Sequence, residues 1–110
     1  MNPQPGWHHG TRAGDRHTTV TLSGEIDMSG AGQLQDLLQQ AVHGAEAVTV
    51  DVADAGFIDS TVISALVAAR NTAHSTGRRF TLINPDAQVR RVLQITGILD
   101  TLTEARPGPS

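Results

Sequence analysis

The 110-residue sequence contains no cysteine, no lysine and only three aromatic residues. Without cysteine, disulfides, thiol nucleophiles, thiol redox switches and cysteine-based zinc sites are all excluded. Because Trp7, Phe57 and Phe80 are the only aromatic residues, the core has to be built from valine, leucine, isoleucine and alanine. The net charge of −3 provides no broad basic surface, so we expect no binding to nucleic acid.

Long apolar runs and glycine-rich phosphate loops are absent as well. No segment approaches the ~18 apolar residues of a transmembrane helix, so we expect no membrane insertion. The amino terminus "MNPQPGWHHG" lacks the apolar centre of a secretory signal, which favours a cytoplasmic protein. Neither of the common glycine motifs for nucleotide phosphates occurs, and the five histidines form no H-x-x-x-H pair. We therefore expect no cofactor and no metal site.

Strand-like and helix-like patterns alternate along the chain. Strands are predicted over 17–26, 47–53 and 79–84, and helices over 29–43, 61–75 and 86–97. The segment 98–105 is predicted to hold a short strand or a turn of helix. This alternation predicts a single small α/β domain with a mostly parallel four- to five-stranded sheet and helices packed against it.

The sequence also predicts the limits of this domain. Residues 1–16 are rich in proline, glycine and polar groups, which indicates a flexible tail or a short edge strand. The folded domain is expected over 17–104, and residues 105–110 are expected to form a second flexible tail.

A polar triplet, Asp59-Ser60-Thr61, interrupts two apolar runs in "FIDSTVISAL". One interpretation is a helix N-cap, in which a side-chain oxygen accepts from the first backbone amides and stabilises the helix by ~1 kcal/mol. Another is a modification site, because a phosphate is favoured at a helix N-terminus. A third is a catalytic serine. It is disfavoured because Ile58 and Val62 are not the small neighbours of a G-x-S-x-G elbow, so we expect no enzyme.

The order of two motifs resembles the STAS domain of bacterial anti-sigma factor antagonists. The first motif lies in "VTLSGEIDMSG" and the second in "VTVDVADAGFIDSTVISAL", followed by a glycine, a strand, an Asn-Pro turn and another helix. The residues that match the two family motifs are Leu22, Gly24, Glu25, Ile26, Asp27, Phe57, Ile58, Asp59, Ser60 and Thr61. The resemblance extends over residues 17–103.

This resemblance implies a STAS-like fold and a function in transcription regulation by partner switching. The antagonist would bind an anti-sigma factor with kinase activity, which phosphorylates Ser60 rather than Thr61 and then releases it, and a phosphatase would reset the antagonist. The residues implied in partner binding are Asp27, Asp59, Ser60, Thr61 and Val62. Ser60 should be exposed at the start of the helix, with Asp27 close to it across the strand ends.

Val62 stands where the family usually has glycine. We expect its bulk to require a different partner pocket, or to slow or prevent phosphorylation. The alternative function is a non-phosphorylated STAS interaction module of another assembly, for example a lipid-transport or signalling complex. The sequence leaves the oligomeric state open.

Overall fold

The computed structural model describes residues 6–103. Its four strands are β1 (Trp7–Ala13), β2 (His17–Ile26), β3 (Ala47–Ile58) and β4 (Arg79–Ile83). Its four helices are α1 (Met28–Gly44), α2 (Ser60–Ser75), α3 (Ala87–Ile95) and α4 (Leu99–Thr103). The predicted tail over 105–110 lies outside the described residues.

The strands form one mixed sheet in the order β1-β2-β3-β4. Strand β2 pairs in parallel with β3, and β3 in parallel with β4, so α1 and α2 are the crossover helices between them. Strand β1 adds to the edge in antiparallel orientation. The predicted α/β class and mostly parallel sheet are confirmed, with four strands.

The helices cover one face of the sheet. In β2, Val20 and Leu22 are buried whereas Thr19 and Thr21 face the open side, and β3 and β4 alternate in the same way. Helix α1 contributes a buried row at a spacing of four residues, which packs against the sheet and against α2. The largest fully buried side chains are Phe80, Leu22, Ile26, Leu34, Leu38, Leu66, Leu82, Leu93, Leu102, Val20, Val42 and Val48.

Strand β1 occupies the segment that was predicted to be a tail or a short edge strand. It pairs with β2 from Trp7, opposite Gly24, to Ala13. Gly24 has a φ of 91°, and a Cβ atom there would lie 2.3 Å from the carbonyl oxygen of Gly6. Only glycine therefore allows the chain to approach so closely at this point.

Strand β3 is longer than the predicted 47–53. The alternation of valines ends at Val52, which made the strand appear to stop there. Two register shifts against β2, between Thr21 and Ser23 and between Gly24 and Glu25, let the pairing continue to Ile58. Such irregularities hide the period-2 signal while the backbone remains extended.

The boundaries of α1 and α2 agree with the sequence to within one residue, whereas α3 ends at Ile95, two residues before the predicted end at residue 97. Helix α2 begins at Ser60 rather than at residue 61, and Gly77, with a φ of 75°, follows its end. The segment 98–105, for which a strand or a helical turn was predicted, contains the short helix α4.

Candidate functional site

Two aspartates follow strands β2 and β3 at the same edge of the sheet. Ile26 of β2 pairs with Ile58 of β3, so the next residues, Asp27 and Asp59, lie side by side. Neighbouring strands are about 4.8 Å apart. Each aspartate is the N-cap of the helix that follows it. This register supports the expected closeness of Asp27 to Ser60, which stays a prediction.

The carboxylate of Asp59 organises the first turn of α2. Its Oδ1 accepts hydrogen bonds from the backbone amides of Thr61 at 3.0 Å and Val62 at 3.1 Å. The same oxygen accepts from the Thr61 hydroxyl at 2.5 Å. One oxygen therefore holds two of the amides that the start of a helix leaves without partners.

The carboxylate of Asp27 repeats this arrangement at the start of α1. Its Oδ1 accepts from the Ser29 amide at 3.0 Å and from the Ser29 hydroxyl at 2.6 Å. Both motifs thus have the same hydrogen-bond pattern, in which an aspartate accepts from a hydroxyl residue two positions later. Met28 occupies in α1 the position that Ser60 occupies in α2. We call the residues of the two motifs the paired-cap surface: Asp27, Met28, Ser29, Asp59, Ser60 and Thr61.

Hydrogen bonds lower the pKa of both aspartates. The Thr61 hydroxyl is the main cause at Asp59, and the backbone amides of Val62, Thr61 and Met28 lower its pKa further. At Asp27 the Ser29 hydroxyl and amide lower the pKa, while the negative charge of Asp59 opposes them. Both carboxylates are therefore ionised near neutral pH, and both are poor proton acceptors.

The two hydroxyls that follow Asp59 are in different environments. The Thr61 hydroxyl donates to the Asp59 carboxylate. Ser60 is exposed as the first residue of α2, and its hydroxyl forms no side-chain hydrogen bond within residues 6–103. A partner can therefore reach the Ser60 hydroxyl without breaking the cap, whereas modification of Thr61 would break it.

The structure requires a correction at Val62. Its side chain is fully buried, with 0% of its surface exposed, and it belongs to the main core cluster. Only its backbone amide takes part in the cap, as a donor to Asp59. A fully buried side chain offers no surface to a partner, so the bulk of Val62 gives no reason to expect a different partner pocket.

Trp7 and Gly30 support this surface, and the sequence did not indicate their role. The indole of Trp7 is 5% exposed and lies directly over Gly30 in the first turn of α1. A Cβ atom at Gly30 would lie 2.3 Å from Nε1 of the indole. The sequence contained one indication that Gly30 is buried. Gly30 precedes Leu34 by four residues, the same spacing that separates Leu34 from Leu38.

Residues 6–103 contain no group of three or more histidine, aspartate or glutamate side chains placed to hold a metal ion. His43 and His74 lie in the last turns of α1 and α2, at the far ends from the caps. No helix in the described region is long and apolar enough to cross a bilayer.

Comparison with known proteins identifies the domain type. A family model described as "Mlab, STAS domain" matches residues 9–104. No curated protein matches the sequence significantly.

Several solved structures share the fold. The anti-sigma factor antagonist SpoIIAA in its unphosphorylated form superposes with a TM-score of 0.77 at 20% identity, covering 88% of this chain and 86% of that one. An anti-sigma factor antagonist from Mycobacterium paratuberculosis gives 0.77 at 24% identity, covering 93% and 86%. A serine-to-glutamate variant of RsbS from Moorella thermoacetica gives 0.72 at 19% identity, covering 91% and 87%. At these identities the likeness establishes the fold.

Proposed function

Because this chain belongs to the STAS domain family, we propose that it is an anti-sigma factor antagonist switched off by phosphorylation of Ser60. In this proposal it binds an anti-sigma factor with kinase activity in the bacterial cytoplasm and thereby frees a sigma factor. The kinase phosphorylates Ser60 and releases the antagonist, and a phosphatase restores it. The domain itself contributes binding rather than catalysis.

The observation that carries this proposal is the Ser60 hydroxyl. It is exposed at the first residue of α2, beside a helix cap that is complete without it. A kinase therefore has access to this oxygen while Asp59 and Thr61 keep the helix start in place. The fold shared with several anti-sigma factor antagonists supports the same function.

The local charges provide a physical reason for release. The amides of Thr61 and Val62 already donate to Asp59, so a phosphate on Ser60 does not gain these donors. Its charge of about −1.5 to −2 would project into solvent next to two ionised carboxylates, Asp59 and Asp27. A partner that accepts a neutral hydroxyl would then have to desolvate this charge. A loss of ~3 kcal/mol would weaken binding roughly a hundredfold.

The test uses the purified chain and a purified kinase-type anti-sigma factor from the same genome. Incubation with ATP should add one phosphate to wild type and to Thr61→Ala, and none to Ser60→Ala, as read by intact-protein and peptide mass spectrometry. In isothermal titration, Ser60→Glu should bind about a hundredfold more weakly than wild type, and Ser60→Ala should bind as wild type.

A charge-matched control separates a local effect from a change in net charge. Ser75 is exposed at the other end of α2, so Ser75→Glu adds the same charge far from the paired-cap surface. It should keep wild-type affinity. Equal affinities of wild type and Ser60→Glu would contradict the phosphorylation switch and leave Asp59-Ser60-Thr61 as a helix cap.

A second function is a STAS interaction module that is not phosphorylated and serves another assembly, such as a lipid-transport or signalling complex. It is favoured by the matching family model, whose description names Mlab rather than an antagonist. In that case the kinase would transfer no phosphate to Ser60, and Ser60→Ala would bind the assembly as wild type does.

A further inference from the structure

A large apolar side chain, that of Met28, is exposed on the paired-cap surface. Among residues 6–103, the large hydrophobic side chains that remain exposed are Met28 at 72%, Phe57 at 40% and Ile95 at 76%. Met28 directly follows the cap residue Asp27, and Phe57 lies two residues before Asp59. Ile95 is the last residue of α3 and lies outside this surface.

Met28 lies next to the proposed phosphorylation site by virtue of the paired strands. Ile26 pairs with Ile58, so Asp27 and Asp59 follow at neighbouring strand ends and α1 and α2 begin side by side. Met28 and Ser60 are each the first helical residue after a cap aspartate. A partner that contacts the Ser60 hydroxyl therefore also meets the Met28 side chain.

The charges around these apolar groups are negative. Acidic residues at the ends of β2 and β3 that are exposed or half-buried are Glu25, Asp27, Asp54 and Asp59. The opposite end of the strands is mixed in charge, with Arg16, Arg78 and Arg79 beside Asp15 and Glu46, and two further exposed arginines, Arg90 and Arg91, lie in α3. The edge that carries Ser60 is thus acidic with an apolar centre.

We propose that Met28 is the apolar anchor through which this surface docks the kinase-type anti-sigma factor. The facing surface of that kinase carries an apolar pocket bordered by arginine or lysine side chains. This inference rests on the proposed function, since it names how the same partner is held. Charge complementarity selects a basic partner face, and the apolar centre supplies affinity that does not depend on salt.

The experiment measures binding of the purified kinase to the full chain by isothermal titration at low and high salt. Met28→Gln retains the length of the side chain and removes its apolar character, and it should weaken binding tenfold to a hundredfold. Met28→Leu should bind within about threefold of wild type. Ile95 is a similarly exposed apolar residue outside the paired-cap surface. Ile95→Gln is therefore the matched control and should bind as wild type.

The salt concentration should change the contribution of the acidic residues to the binding affinity and leave the contribution of Met28 unchanged. Raising the salt concentration should weaken wild type and Met28→Gln by the same factor, whereas Asp54→Asn should reduce that salt dependence. Thermal melts should show that all variants fold, because each changed side chain is exposed.

The outcomes separate the anchor from the switch. If Met28→Gln binds as wild type, or if Ile95→Gln weakens binding equally, the anchor is refuted whatever the state of Ser60. If Met28→Gln binds weakly but the kinase transfers no phosphate to Ser60, the anchor stands and the phosphorylation switch fails. If wild type does not bind the kinase at all, both are overturned.

Discussion

Gly30→Ala tests how tightly the edge strand is packed against the start of α1. Two effects of opposite sign compete at this position. Replacing glycine by alanine in a helix stabilises it by about 1 kcal/mol. The new methyl group, however, would lie 2.3 Å from Nε1 and 2.9 Å from Cε2 of Trp7. The indole is rigid and buried, so it cannot give way by a simple change of rotamer.

The packing term should outweigh the helix term. Overpacking in a core typically costs about 1–3 kcal/mol, so Gly30→Ala should be neutral to about 2 kcal/mol less stable than wild type. Complete expulsion of the indole would add to this, towards the roughly 3–5 kcal/mol cost of removing a buried tryptophan. The surroundings of the Trp7 indole should also become more polar, which should shift its fluorescence emission to longer wavelengths.

Gly32→Ala is the matched control. Gly32 is exposed in the same helix, and a Cβ atom there meets nothing within 4 Å. This variant should be about 0.5–1 kcal/mol more stable than wild type. Urea unfolding followed by far-UV circular dichroism measures both variants.

A double-mutant cycle with Trp7→Ala completes the test. In the Trp7→Ala background the clash is absent, so Gly30→Ala should become stabilising, with a coupling of about 1–3 kcal/mol. If Gly30→Ala and Gly32→Ala are equally stable, or if the coupling is zero, Trp7 does not pack on the first turn of α1 as described.

Two further predictions concern the caps and the core, in addition to those for Ser60 and Met28. Asp59 has a lowered pKa, so its cap is strongest above the ordinary value of 3.8 and is lost as pH falls through the lowered folded value. Asp59→Asn keeps a good N-cap; it should therefore be nearly as stable as wild type at pH 7, and its unfolding free energy should change less between pH 5 and pH 2. The control Asp54→Asn, which changes an exposed acid outside the caps, should retain the wild-type slope, and an unchanged slope in Asp59→Asn would contradict the hydrogen-bonded cap. Val62→Ala should lower the unfolding free energy by about 2 kcal/mol because Val62 is fully buried, whereas a change below ~0.5 kcal/mol would show that the side chain is not part of the core.

The sequence predicted those elements whose apolar residues follow one period throughout. Helix α2 and strand β2 were placed to within one residue because most of their apolar residues follow the helix and strand periods. The second half of β3 was missed because the register shifts break its alternation. For the segment of β1 the sequence could not distinguish a flexible tail from an edge strand, because Trp7 is the only buried residue of this strand.

The candidate site was predicted in part, for a similar reason. Asp59 and Ser60 could be placed at a helix start, since a polar triplet between apolar runs marks a cap. The sequence does not indicate which hydroxyl is engaged by Asp59, and the structure assigns this role to Thr61. The inward direction of Val62 could have been predicted, because Val62 shares one helical row with Leu66, Ala69 and Ala73.

The caps determine what a charge on Ser60 can do to the molecule. Since Asp59 already accepts from the amides of Thr61 and Val62 and from the Thr61 hydroxyl, a new anion at Ser60 has little to gain by rearranging the helix start. Its effect is therefore confined to the surface, where it adds to the charges of Asp27 and Asp59. For a partner that binds this surface, phosphorylation of Ser60 would change the charge of the surface and leave its backbone unchanged. In the proposed complex the same partner would also contact Met28, which is exposed in the first turn of α1, so the affinity and its control by phosphorylation would reside on neighbouring helix starts.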